Sequence, residues 1–203
     1  METLWADHAL TQDGWARDVR VEIDPSGRIA AVTPAAAPAG RRVGTLLPAP
    51  ANLHSHGFQR AMAGLTEARG PTAGDSFWTW RGLMYRFLDR LTPEDVQAIT
   101  AFAQVEMLEA GFGAVGEFHY LHHRPDGTAH DDPAEMATRI AAAAGETGIG
   151  LSLLPVLYEQ GGCDGRPLGP GQRRFGSTPD SFASLHAASR AALAALPADS
   201  VLG

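Results

Sequence analysis

The hydrophobic rhythm of the chain changes near Thr45. Before that point, short apolar runs broken by turn residues predict strands at LWADHAL, DVRVEID and IAAVTP. The turn PSGR separates the last two, and an Ala/Pro/Gly-rich connector, APAGRR, follows. Beyond Thr45, strand-like runs alternate with helical stretches. TLLPAPANLHSH reads as the first strand of this second part, with irregular backbone at its prolines. FQRAMAGL predicts a short helical piece. SFWTWRGLMYRFLDR carries Phe77, Trp80, Leu83, Met84 and Phe87 at helical spacing, a stripe suited to core packing. Thr92 as N-cap and Pro93 at the first helical position open PEDVQAITAFAQVEMLEA, which stops at Gly111.

The alternation continues with the strand GAVGEFHY, the polar loop LHHRPDGTAHDD, the helix PAEMATRIAAAAGETG and the strand IGLSLLPVLY. A long Gly/Pro/Arg loop, an Ala-rich helix near DSFASLHAASRAALAAL and the opening of another strand at SVLG complete it. Strands separated by helices predict parallel pairing through right-handed crossovers, hence an α/β sheet or barrel. The expected division is a small β segment over 1–46 and three to four βα units over 47–203.

Composition narrows the partners. The chain has 203 residues, 44% of them hydrophobic, enough for a substantial core, and a formal net charge of -7. The acidic balance argues against nucleic acid or an anionic membrane as partner and for a small molecule. The single cysteine, Cys163 in GGCDG, excludes an internal disulfide framework and reads as an ordinary free thiol of a reducing compartment. No signal pattern or membrane-length apolar run is present, so the cytoplasm is the expected location.

Candidate chemistry begins in ANLHSHGFQR. Side chains alternate along a strand, so His54 and His56 share a face while Leu53 and Ser55 take the other, and two imidazoles at a strand end can seat a metal. His119 shares a strand face with Glu117, and His122 and His123 follow; the turn-rich HHRPDG predicts solvated loop histidines there rather than a second metal site. Arg173 and Arg174 read as surface charge.

An HxH pair ending the first strand of a βα series, after a small β unit, resembles the amidohydrolase superfamily. PAPANLHSHGFQRAMAGLTE, DSFWTWRGLMYRFLDRLTPEDVQAI, VEMLEAGFGAVGEFHYLHH and LLPVLYEQGG together resemble the formimidoylglutamate deiminase family. That resemblance implies an α/β fold: the first part of a metal-dependent (β/α)8 barrel, preceded by a β-sandwich segment and incomplete in this chain. It implies His54 and His56 as ligands of one divalent ion, zinc being best suited, and Gln59, Arg81 and Tyr120 as substrate-binding residues. The implied reaction is hydrolysis of the formimino group, with water activated by the metal and ammonia released to leave N-formylglutamate. The implied partner is a small molecule bearing carboxylates, and a homo-oligomer of the full-length protein stays open.

By the same pattern, the remaining metal ligands and proton-transfer groups belong to later strands. No catalytic residue is therefore expected within this chain, and the 203 residues alone are expected to be inactive and to associate through an open sheet edge. Two other readings compete: a deaminase of guanine or another aromatic base, and a non-catalytic half-barrel that only binds.

Overall fold

The computed structural model describes residues 1–67 and 74–203. The chain forms two compact units, Met1–Ala49 and Pro50–Gly203. In the first, β1 (Glu2–Thr11) and β2 (Gly14–Ile23) form an antiparallel hairpin whose turn uses Gly14 at φ 102°, a conformation that costs glycine little. β3 (Ile29–Thr33) adds antiparallel to β2, and β4 (Arg41–Leu46) adds parallel to β1, giving the order β3-β2-β1-β4. Ala6, Ala9, Val19 and Val21 form its small core. The buried Trp5 indole donates to the Ala36 carbonyl at 2.9 Å. The connector reading of APAGRR needs correction at its end, because Arg41 and Arg42 begin β4. Strand pairing there comes from a ladder to β1, which local composition does not reveal.

The second unit contains β5 (Ala51–Ser55), a 3-10 helix (Gly57–Met62), α1 (Phe77–Leu88), α2 (Pro93–Glu109), β6 (Ala114–His119) and α3 (Glu135–Thr147). After these come β7 (Gly150–Pro155), a second 3-10 helix (Pro170–Gln172), α4 (Pro179–Leu193) and β8 (Val201–Leu202). The strands run in parallel in the order β5-β6-β7-β8. TLLPAPANLHSH is therefore two strands in two sheets: Thr45 and Leu46 end β4, and β5 starts only after Pro50. Proline lacks the N–H that a continuous ladder would need.

One face of the parallel sheet is sealed. Val115, Leu151 and Leu153 pack with Val96, Ile140, Ala144 and Leu193 from α2, α3 and α4. Residues of the opposite parity face away, and Phe118 is 37% exposed. On α1 the expected core stripe is partly realised: Met84 is buried and Trp80 and Phe87 pack against the core, but Leu83 is only partly buried and Phe77 is 60% exposed at the helix start; Leu88, outside the stripe, is buried as well.

Local chemistry fixes the helix starts. Thr92 accepts from the Asp95 N–H at 3.1 Å while the Asp95 carboxylate accepts from the Thr92 N–H at 3.0 Å, a capping box strengthened by Pro93 and by two acidic residues in the first turn. Thr178 and Ser181 form the equivalent box on α4. α2 ends at Glu109 with Ala110 as its cap, and Gly111 at φ 91° turns the chain away. Among the described residues no helix is long and apolar enough to cross a membrane. Replacing Thr92 by Ala removes one cap acceptor and should destabilise the chain by about 1 kcal/mol, read from the urea midpoint. No change there would mean that α2 is held by packing alone.

Candidate metal and substrate site

His54, within the end of β5, and His56, one residue past it, bring their imidazoles together. Their Nε2 atoms lie 3.0 Å apart. His56 Nδ1–H donates to the Phe118 carbonyl at 2.9 Å, so the neutral ring keeps its lone pair on Nε2. Burial favours that neutral form and pushes the His56 pKa down. Two nitrogens on one tetrahedral zinc at ordinary bond lengths stand about 3.3 Å apart, close to the observed spacing. The pair therefore fits half of a metal site. Among the described residues no group of three or more His, Cys, Asp or Glu could hold a metal ion.

The turn after the histidines is held from behind. Glu117, paired across from Ser55 in the ladder, accepts from the Gly57 N–H at 2.7 Å and from the Ser55 hydroxyl. One carboxyl thus grips the chain on both sides of His56. A Cβ on Gly57 would stand 2.8 Å from the Thr100 hydroxyl, so only glycine lets this turn lie against α2. Arg60 then pairs through two bonds, 2.5 and 2.7 Å, with Glu106 of α2.

Gln59, Arg81, Tyr120 and His56 line one cavity of about 390 Å³. Gln59 Nε2 donates to the Tyr120 hydroxyl at 2.9 Å, and the Tyr120 ring lies edge-on to His56 at 5.0 Å. Burial pushes the Tyr120 pKa up to about 12, so the hydroxyl keeps its proton. Arg81 enters from α1 with its Nε donating to the Tyr85 hydroxyl at 2.5 Å. His54 lies outside the cavity lining and meets it through His56 and the Phe118 ring, whose centre is 5.7 Å away. Tyr85, Tyr158 and Phe175 also line the cavity and were not singled out by the sequence reading; Trp80 was read there as core only. The Arg81 to Tyr85 spacing of four residues on a helix was the available signal for one of them.

Two expectations fail. His122 is 1% exposed rather than solvated, with its Nε2–H donating to the Val156 carbonyl at 3.1 Å; His119 is 3% exposed, and the two rings meet edge-on at 4.8 Å. His123 Nε2–H likewise donates to the Gly176 carbonyl at 2.6 Å. Arg174 is 1% exposed, not surface charge, and donates to the carbonyls of His123, Leu88 and Leu91. The cause is one long-range contact: the N–H groups of His122 and His123 both donate to the Arg174 carbonyl, so the segment around Arg174 covers the start of the loop that composition marks as exposed. Arg173, partly exposed, does pair with Asp89 at 2.6 Å. Cys163 is free and exposed.

Residues 45–201 match the amidohydrolase family model, and the chain belongs to that family. Residues 1–42 match the model for the N-terminal domain of formimidoylglutamate deiminase HutF. The chain is similar to formimidoylglutamate deiminase of Pseudomonas aeruginosa, 50% identical over 197 residues that cover 96% of this chain and 43% of that protein. Its fold is similar to the crystal structure of an amidohydrolase from Brucella melitensis, with TM-score 0.93, 47% identity and coverage of 100% of this chain and 45% of that one. An adenosine deaminase from Xanthomonas campestris, solved with bound zinc, shares the fold at TM-score 0.67 and 17% identity, over 98% of this chain and 41% of that one. The chain spans less than half the length of these relatives.

Buried titratable groups make stability depend on pH. Burial lowers the His119 pKa well below 6.5 and that of His122 to about 4, so both are neutral when folded; the unfolded chain takes up their protons first, and their contribution is lost as pH falls from 6.5. Glu117, raised by burial from 4.5 to about 7, acts oppositely, because the folded chain keeps a proton that the unfolded chain releases. Burial lowers His56 and His130 as well, so four histidines against one carboxyl give stability that rises between about pH 4.5 and 6.5. Glu117→Gln should steepen that rise by up to about 1.4 kcal/mol per pH unit. Urea midpoints across the range measure both; an unchanged slope in the variant would place the Glu117 carboxyl in water.

Proposed function

We propose that the whole protein to which this chain belongs is a formimidoylglutamate deiminase. In this reading it hydrolyses the formimino carbon–nitrogen bond of N-formimidoyl-L-glutamate and leaves N-formyl-L-glutamate and ammonia. The observation that carries the reading is the cavity where His56, Gln59, Arg81 and Tyr120 converge. The 50% identity to the Pseudomonas enzyme supports the same substrate. The chain is read as the first part of a (β/α)8 barrel with one sheet of a flanking β-sandwich, working in the cytoplasm.

His54 and His56 hold one side of a divalent metal site, and their imidazole nitrogens suit zinc. The metal, when bound, supplies Lewis-acid activation of water. Gln59 donates to the Tyr120 hydroxyl, whose own O–H faces the weak Met84 sulfur acceptor at 3.7 Å and can turn from it to an incoming carboxylate. Arg81 supplies the matching charge. Aromatic walls keep water from the carboxylate and so strengthen its attraction to the guanidinium. Proton transfer to the departing nitrogen belongs to residues outside this chain, and the 203 residues alone are inactive.

Four measurements test the reading. Intact mass of the protein made from its own gene should exceed the 21.4 kDa of this chain about twofold, as expected for a whole barrel plus a flanking domain. In that protein, His54→Ala and His56→Ala should each cut bound zinc from one per chain to near none, measured by elemental analysis. Arg81→Ala should raise KM for formimidoylglutamate about 100-fold, the loss expected when a charge-assisted pair is removed. A deaminase of an uncharged aromatic base would show no such loss. Ammonia release by the zinc-loaded 203-residue chain would refute its assigned inactivity.

A further inference from the structure

We propose that Tyr85, seated against the backbone of Gly171, is a positioning residue for Arg81. It turns the guanidinium so that its two terminal nitrogens receive a substrate carboxylate end-on. This rests on the carboxylate-binding reading of Arg81 given above.

The geometry comes from two elements. Along α1, Arg81 Nε donates to the Tyr85 hydroxyl at 2.5 Å, and the guanidinium lies 5.3 Å from the centre of the Tyr85 ring and 5.6 Å from that of Trp78. With Nε engaged, its edge of the fork is closed, and a carboxylate can meet only the end formed by the two Nη groups. None of the ion pairs among the described residues involves Arg81.

The second element holds the ring. A Cβ at Gly171 would stand 2.3 Å from Tyr85 Cδ2 and 2.5 Å from Cγ, far inside contact distance. Gly171 does not occupy the left-handed backbone region, so its lack of a side chain serves the tyrosine ring rather than a turn. The 3-10 helix carrying Gly171 is itself fastened. Gln172 is buried, accepting from the Gly169 N–H at 2.9 Å and donating to the Tyr158 hydroxyl at 3.0 Å. Arg173 and Arg174 tie the following residues to Asp89 and to the carbonyls of Leu88 and Leu91 at the far end of α1. The ring is therefore fixed along its Cγ–Cδ2–Cε2 edge, and its hydroxyl can serve as a stop.

A double-mutant cycle tests this on the protein made from its own gene and loaded with zinc, with calorimetric binding of N-formyl-L-glutamate as the readout. Tyr85→Phe keeps the ring and removes the hydroxyl, and should weaken binding about tenfold; Gly171→Ala should do the same by displacing the ring. Arg81→Ala should weaken it about 100-fold, and adding Tyr85→Phe to that variant should change nothing further, since its effect passes through the missing guanidinium. Additive losses, or an unaltered Tyr85→Phe single variant beside a weakened Arg81→Ala, would overturn the positioning role while leaving the carboxylate reading in place. Unchanged binding in Arg81→Ala, or no binding by the parent protein, would remove that reading and the positioning role together.

Discussion

The carboxyl of Glu117 is the point on which the site depends. It sits on the sealed face of the sheet, where a charged group is costly, and it is held there by donors from Ser55 and the Gly57 N–H. Those two residues flank His56. The same residue pairing that sets the register of β5 on β6 therefore sets the position of the imidazole on the opposite face. The neighbouring Phe118 carbonyl then chooses the tautomer by taking the Nδ1–H. The placing of His56 thus comes from strand register and a buried acid.

Much of this architecture is legible in the sequence because its signals are local. The Thr92 cap with Pro93, the Gly111 stop and the alternation of βα units each follow from neighbours a few residues apart. His54 and His56 could be placed on one face for the same reason, since strand periodicity needs no tertiary information. Gln59, Arg81 and Tyr120 are different. Their convergence on one cavity comes from three separate elements, and no spacing within the chain indicates it; only the family resemblance drew them together.

The failures share one physical cause. HHRPDG and GQRRF each look solvated because polar residues with turn formers usually are. Here each segment satisfies the other: the Arg174 carbonyl receives the N–H groups of His122 and His123, and the Arg174 side chain returns to the His123 carbonyl. Neither half of such a pair reveals its burial alone. Burial then changes the chemistry of both, holding His122 neutral and lowering the Arg174 pKa to about 10.

That mutual covering also explains why the cavity wall is aromatic and rigid. Phe175 follows Arg174 directly, and its ring meets Tyr120 at 4.8 Å and Tyr158 at 5.4 Å. A buried arginine bonded to three backbone carbonyls cannot shift without leaving its charge unpaired, so the residue next to it cannot shift either. The wall is thereby anchored by polar bonds outside the cavity, while the surface it presents is mostly aromatic, with polar atoms at His56, Gln59, Arg81 and the tyrosine hydroxyls. A carboxylate entering such a space trades water for a small number of fixed donors, which rewards correct placement and penalises any group that cannot accept from them.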